Sequence, residues 1–228
     1  ASRDVACLKR YHVPAISVPA MYSADCAFAL PNPRSFQAII FTSRHAVTAV
    51  SDKEVIALWQ SIPVYAVGRS TALAAKQAGF TKVVIGHGGG KSLVSQIAHD
   101  LRPDNGKIFW PSAQIISFDV ASSLAVHGFV VHRLSVYKML KASNLGNFLP
   151  SLLKGCQSTA VLAMSARSVA LFSKMLATAG LARHRQKITL IAGSETIAKA
   201  AGSGWADILV AKAPRRSRLL GIAILLHQ

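Results

Sequence analysis

The sequence predicts an α/β protein of two similar lobes, each a parallel β-sheet flanked by helices, joined by a two-stranded linker. Two observations predict this fold. Short apolar runs alternate with segments whose apolar residues recur every three or four positions, as in buried strands and amphipathic helices. The second half of the chain also repeats the order of motifs in the first half, which indicates a duplicated unit.

Nine short runs of β-branched and apolar residues are predicted strands. Most are continuously apolar, which is typical of parallel sheets covered by helices on both faces. The segments between them have helical spacing, and Val169, Phe172 and Leu176, for example, share one stripe. In chain order, the predicted strands are 15–18, 38–42, 64–67, 82–85, 107–110, 130–136, 160–164, 188–192 and 208–210.

The repeat is visible in two pairs of segments. In "IIFTSRHAVTAV" (39–50) and "VLAMSARSVALF" (161–172), an apolar run meets a serine and turns helical. "VYAVGRSTALAAKQAGFTKVVIG" (64–86) parallels "ITLIAGSETIAKAAGSGWADILVA" (188–211) at a constant offset. That offset pairs Gly68 with Gly193, and Thr71 with Thr196.

Two polar or proline-rich segments are interpreted as crossings between the lobes: "LPNPRS" (30–35) and "SVYKMLKASN" (135–144). They predict a first lobe of residues 1–33 plus 141–228, and a second lobe, 34–140, inserted into it. Two antiparallel linker strands are expected to lie side by side where the chain leaves and re-enters the first lobe.

Four of the predicted strand–helix turns are candidate anion sites. Backbone N–H groups at a helix N-terminus are free, and the helix dipole favours negative charge there. If the lobes face each other, all four turns converge on one cleft. Taken singly, each serine or threonine is equally an ordinary helix cap. The candidate binding residues are Ser43, Arg44, Gly68, Arg69, Thr71, Ser165, Arg167, Gly193, Ser194 and Thr196.

The charge is strongly positive, with 26 Lys and Arg against 9 Asp and Glu, a net charge of +17. Such a field attracts polyanions, and nucleic acid is one class of partner. The basic residues are scattered singly, however, and aromatic residues do not interleave with them, so no base-stacking surface is indicated. A generally cationic surface and a smaller polyanionic ligand remain the alternatives.

Familiar catalytic devices are missing from the sequence. The eight histidines lack metal-binding spacing, and His45 and His127 are interpreted as surface or helix-face residues. "GHGGG" (86–90) lacks P-loop spacing, and neither a dinucleotide fingerprint nor a nucleophile elbow is found. Cys7, Cys26 and Cys156 are far apart, which suits free thiols in a reducing compartment. No apolar run approaches the ~20 residues of a membrane span.

Tyr137 lies at the end of a predicted strand, at the second crossing, in "RLSVYKM". A tyrosine there can donate a proton into a cleft through its hydroxyl. It can equally pack the joint between the lobes. Tyr137 is therefore the candidate catalytic residue.

The chain resembles the uroporphyrinogen-III synthase family. The resemblance rests on "FTSRHAV", "VYAVGRSTALAAKQAGF", "SVYKM", "MSARSV" and "IAGSETIAKAAGSGW" followed by "AKAPRRSRLL", which span nearly the whole chain in the family's order. It implies an enzyme that closes hydroxymethylbilane to uroporphyrinogen III through a spirocyclic intermediate, with inversion of ring D. It also implies Tyr137 as general acid and Ser43, Thr71, Ser165 and Thr196 as binding positions.

The resemblance further implies a cytoplasmic monomer of haem biosynthesis that needs no metal or cofactor and binds neither nucleic acid nor membrane. The substrate's eight carboxylates would account for a basic cleft ringed by helix N-termini. Family members begin with a strand before their first helix, whereas "ASRDVACLKRY" has a helical pattern from its start. Either that strand is missing or the N-terminus is arranged differently. A two-lobed binding protein for a polyanion, without chemistry, is the alternative function.

Overall fold

The structure, a computed structural model, describes residues 2–51, 54–146, 149–155, 159–213 and 215–227. Cys156 therefore lies outside the described residues. The strands are β1 Met21–Asp25, β2 Phe36–Phe41, β3 Val64–Ala66, β4 Val83–Ile85, β5 Lys107–Ala113, β6 Val131–Lys141, β7 Thr159–Ala163, β8 Ile188–Ala192 and β9 Asp207–Val210. The helices are α1 Ser2–Arg10, α2 Arg44–Ser51, α3 Arg69–Gln77, α4 Gly90–Asp100, α5 Val120–Ala125, α6 Leu149–Gly155, α7 Ala166–Thr178, α8 Glu195–Ala201 and α9 Arg216–Leu225.

The chain divides into two compact units. The first is Ala1–Tyr22 with Lys141–Gln228, and the second is Ser23–Leu140. Residues 23–33, which the sequence analysis assigned to the first lobe, fall in the second unit, where Phe28 and Leu30 pack on the core. "LPNPRS" therefore lies within the second unit, and its last residues form a 3₁₀ turn, Pro33–Ser35.

The second unit is a doubly wound sheet with strand order β1-β6-β5-β2-β3-β4. The five strands from β6 to β4 are parallel. Successive side chains of a strand point to opposite faces. Thus Ile39 and Phe41 face α2 and α3, while Ala38 and Ile40 join the cluster with α4 and α5. Both faces are covered, which is why these strands are continuously apolar.

The ladder between β2 and β5 ends early. It pairs Phe36 with Lys107 and Ile39 with Phe109, but β5 continues to Ala113 paired only with β6. Pro111, which has no N–H, lies in this one-sided stretch and so removes no donor from the β2 side. The order of the strands along the chain reverses between β2 and β5. The carboxyl ends of these two strands are therefore the topological switch point, where doubly wound proteins bind ligands.

A bulge in β6 sets the direction of Tyr137. Ser112 lies opposite Ser135 and Ala113 lies opposite Tyr137, so Val136 is an extra residue on β6. As a result Val136 and Tyr137, although adjacent, both belong to the core beside α2 and α3. The strand also continues to Lys141, so Tyr137 is inside it. The prediction that Tyr137 lies at the end of a strand was therefore wrong.

The predicted two-stranded linker is confirmed, but its first strand is β1, Met21–Asp25, and not the predicted segment 30–35. The Cys26 N–H donates to the Val136 carbonyl (3.0 Å) and the Ala142 N–H to the Ala20 carbonyl (3.0 Å), a pattern of opposite strand directions. The predicted strand 15–18 is wrong. Pro14 and Pro19 flank it and lack the N–H groups that a ladder needs. Ala15 and Val18 pack on the core instead, and Ile16 is exposed.

The first unit has a parallel sheet in the order β7-β8-β9. Leu190 and Ala192 pack with α7 and α8 on one face, and Ile191 packs with α1 and α9 on the other. The α/β class, with a helix-flanked parallel sheet in each unit, is therefore as predicted.

Candidate functional site

The turn from β2 into α2 carries Thr42, Ser43 and Arg44. The Ser43 Oγ accepts the His45 N–H (3.1 Å), which caps the helix. The Thr42 Oγ1 accepts the Trp110 Nε1–H (3.3 Å) and so connects the carboxyl ends of β2 and β5 beyond their ladder. The Arg44 side chain is exposed.

The turn from β3 into α3 leaves its amides uncapped. Gly68 is the N-cap residue, and no side chain accepts a hydrogen bond there. Its φ of −173° is extended backbone, and an added Cβ would meet nothing within 4 Å. Neither conformation nor packing therefore requires glycine at 68. Arg69 and Ser70 are exposed and present the first N–H groups of α3 to solvent or a ligand.

The two turns of the first unit are capped by serines. The Ser165 Oγ accepts the Ser168 N–H (3.3 Å), and the Ser194 Oγ accepts the Ile197 N–H (3.4 Å). Arg167 and Thr196 are exposed. None of Arg44, Arg69 and Arg167 forms an ion pair with another described residue. These three cations are thus available to an anionic ligand.

Backbone hydrogen bonds correct the pairing of the repeats. The Val67 N–H donates to Phe41 and the Gly193 N–H to Ala163, each at 3.0 Å and each to the last residue of the neighbouring strand. Gly193 therefore corresponds to Val67, and Ser194 to Gly68. With the repeats aligned in this way, Ser70 corresponds to Thr196, and both are exposed. Thr71 corresponds to Ile197, and both are buried. The constant offset read from the sequence is one residue out of step in this turn.

Tyr137 lies against His45. Their ring centroids are 5.6 Å apart with the planes tilted by 40°, and Tyr137 is 6% exposed. The Tyr137 carbonyl accepts the Gln114 N–H (2.8 Å), which continues the contact between β5 and β6. Burial, and then the charge of Arg44, lower the pKa of the half-buried His45. The sequence analysis interpreted His45 as a surface or helix-face residue. Its position in a turn predicted to bind an anion was the signal that could have identified it.

Arg133 holds the one-sided end of β5. Its Nε donates to the Ser112 Oγ (2.9 Å), and its Nη2 donates to the carbonyls of Ala113 and Gln114 (2.9 Å each). The guanidinium lies over the Trp110 ring at 5.6 Å. Sequence reasoning did not single out Arg133, because its partners are brought to it only by the sheet.

Within the described part of the chain, no three His, Cys, Asp or Glu side chains are grouped as metal ligands. No helix there is long and apolar enough to span a membrane. The polar groups at the sheet edges are hydroxyls, guanidinium groups, an imidazole, a phenol and backbone amides.

The family model described as uroporphyrinogen-III synthase HemD matches residues 8–221. The chain belongs to the uroporphyrinogen-III synthase family. Membership makes it a lyase of tetrapyrrole biosynthesis, and nothing in the comparisons supports a binding protein without chemistry. Among curated proteins, no relative matches the chain.

Two solved structures of uroporphyrinogen-III synthases are similar in fold. The chain matches the Helicobacter pylori synthetase at 21% identity and a TM-score of 0.65, over 90% of each chain. It matches a mutant synthase of Thermus thermophilus at 17% identity and a TM-score of 0.51, over 99% of this chain and 95% of that one. At these identities the likeness supports the fold.

Proposed function

We propose that this uroporphyrinogen-III synthase family member cyclises hydroxymethylbilane to uroporphyrinogen III, with inversion of ring D. The observation that carries the proposal is the family match over residues 8–221. The site supports it, because the substrate carries eight carboxylates and the sheet edges offer uncapped amides and exposed arginines.

The accessible turn residues bind the substrate's carboxylates. In the second unit these are Ser43, Arg44, Arg69 and the uncapped backbone N–H groups at Gly68. In the first unit, the corresponding residues are Ser165, Arg167, Ser194 and Thr196. Capping and binding are compatible, because a serine Oγ occupies one amide while neighbouring amides face outward. Thr71 and Gly193 are buried and shape the turns from within.

Tyr137 is the proton donor. The hydroxymethyl C–O bond breaks as the pyrrole nitrogen supplies electrons, and the hydroxyl leaves as water with a proton from the phenol. The resulting azafulvene is attacked by ring D at its substituted carbon, which gives the spirocyclic intermediate. That intermediate fragments as the bond from this carbon to the ring C methylene breaks. It recloses when that methylene bonds to the free α-carbon of ring D, whose proton returns to the Tyr137 phenolate. The substrate is intrinsically reactive, so holding the chain in the folded shape that favours this attack is the enzyme's larger task.

The test feeds hydroxymethylbilane to the protein and separates the type I and type III isomers. Type III product is expected; type I alone, at the spontaneous rate, would overturn the proposal. Tyr137→Phe should lower kcat at least about tenfold and change KM less than about twofold, because only proton donation is lost. An unchanged kcat would return Tyr137 to a packing role.

We also propose a monomer that works in a reducing, cytoplasmic compartment without nucleic-acid partners. Cys7 and Cys26 are free, half-buried thiols, which supports a reducing environment. Sedimentation at assay concentrations should give the mass of one 24.2 kDa chain. A dimer mass would contradict the monomer.

A further inference from the structure

We propose that His45 is a positioning residue for Tyr137, holding the phenol where it protonates the leaving hydroxyl. The inference rests on the proposed function, and adds to it a residue from the opposite side of the switch point. The imidazole acts through the tyrosine ring.

The two rings come from different sides of the switch point between the carboxyl ends of β2 and β5. His45 lies on the first turn of α2, directly after β2, and Tyr137 lies on β6, the neighbour of β5. The β2–β5 ladder ends at Ile39 and Phe109, so it does not hold the carboxyl ends together. The contact between His45 and Tyr137, at 5.6 Å between centroids, is thus one of the connections across this end.

The backbone at each ring is anchored, and the imidazole is one of the walls that restrict the largely buried phenol ring. The Ser43 Oγ holds the His45 N–H, and the Gln114 N–H holds the Tyr137 carbonyl. The bulge at Val136 directs Tyr137 to the α2 face. Without the imidazole, one wall beside the ring is missing, and the ring has room to change its orientation.

An uncharged ring suits this position. The Tyr137 ring on β6 faces His45. Burial, and then the charge of Arg44 on the same helix as His45, lower the pKa of the imidazole. Because burial and Arg44 lower its pKa, the imidazole is neutral near pH 7 and adds no cation beside the proton donor. An aromatic ring of similar size should therefore replace it.

The experiment is a double-mutant cycle with His45→Ala, Tyr137→Phe and the pair. His45→Ala should lower kcat about tenfold with KM changed less than about twofold, and should add little to Tyr137→Phe. His45→Phe should keep kcat within about twofold, since it keeps the wall. His127→Ala, at an exposed histidine of the same unit, is the matched control. A wild-type kcat in His45→Ala, or an equal fall in the Tyr137→Phe background, would overturn the inference.

A second readout does not depend on turnover. In protein labelled with 3-fluorotyrosine, the Tyr137 fluorine resonance is assigned by its loss in Tyr137→Phe. It should shift in His45→Ala and not in His127→Ala. An unmoved resonance would overturn the positioning role even if the chain made no type III product, whereas absence of that product would overturn the proposed function.

Discussion

Gly68 and Gly193 occupy similar strand–helix turns for different reasons. A Cβ at Gly193 would lie 3.2 Å from the Met164 Sδ, so a larger residue there would require the exposed methionine side chain to shift. At Gly68 a Cβ would meet nothing within 4 Å. A glycine that the fold does not need leaves its amides open to close approach by a ligand.

Gly68→Ser should separate stability from binding. Serine adds the side-chain cap that Ser194 provides at the equivalent position, and should raise the free energy of unfolding by about 0.3 kcal/mol. Its hydroxyl would also occupy an amide proposed to bind a carboxylate, so KM should rise about tenfold. Urea unfolding and steady-state kinetics measure the two effects. Ser194→Gly, the reverse change, should lower stability; an unchanged KM in Gly68→Ser would remove Gly68 from the site.

The titration of His45 predicts a loss of stability in mild acid. Its pKa is lowered in the folded chain, so below about pH 6.5 the unfolded chain binds more protons. Stability should therefore fall as the pH drops from about 6.5 toward the folded pKa, and be unaffected by this group above 6.5. His45→Gln should flatten that part of a urea-unfolding pH profile. His127→Gln is the control, and an unflattened His45→Gln profile would contradict the prediction.

At the scale of an element, α7 begins at a serine that caps the helix and is also proposed to bind the substrate. Ser165 is exposed, accepts the Ser168 N–H, and begins a helix whose Val169, Phe172 and Leu176 fill the core of the first unit. The cap and the apolar stripe are both local patterns. They explain why the start of α7 was predictable from sequence.

Ser165→Asp should keep α7 and weaken substrate binding. Aspartate caps helices as well as serine and suits the positive end of the dipole, so the melting temperature should hold. Its charge would repel a carboxylate, and KM should rise at least about tenfold. Ser165→Ala is the matched variant: it loses the cap, about 1 kcal/mol, without adding charge. If Ser165→Asp kept the wild-type KM, the turn would be a cap only.

For the whole molecule, the positive charge is unequally divided. The first unit carries 15 Lys and Arg against 3 Asp and Glu, and the second unit 11 against 6. Part of this excess lies away from the turns. Arg183 and Lys187, for example, lie on the 3₁₀ segment before β8, at the amino end of that strand. The proposed substrate site therefore accounts for only some of the charge.

Salt should raise KM and leave kcat unchanged, because screening weakens attraction of the polycarboxylate before the chemical step. Arg44→Gln, Arg69→Gln and Arg167→Gln should each reduce the salt dependence of KM. Arg183→Gln, an exposed control at the opposite end of the strands, should not. An equal effect of Arg183→Gln would mean that the overall field, and not the turns, attracts the substrate. Tight, salt-sensitive DNA binding that survives all four changes would assign the excess charge to a nucleic acid.

The sequence by itself determined the α/β class, eight of the nine strands in the described part of the chain, and the serine starts of α2 and α7. Apolar runs, helical spacing and caps act between near neighbours, so they can be read locally. Only the tertiary structure decided that β1 lies beside β6, that the two repeats differ by one residue, and that Tyr137 meets His45. Those outcomes depend on ladder hydrogen bonds and on a bulge at Val136, which join residues far apart in the chain.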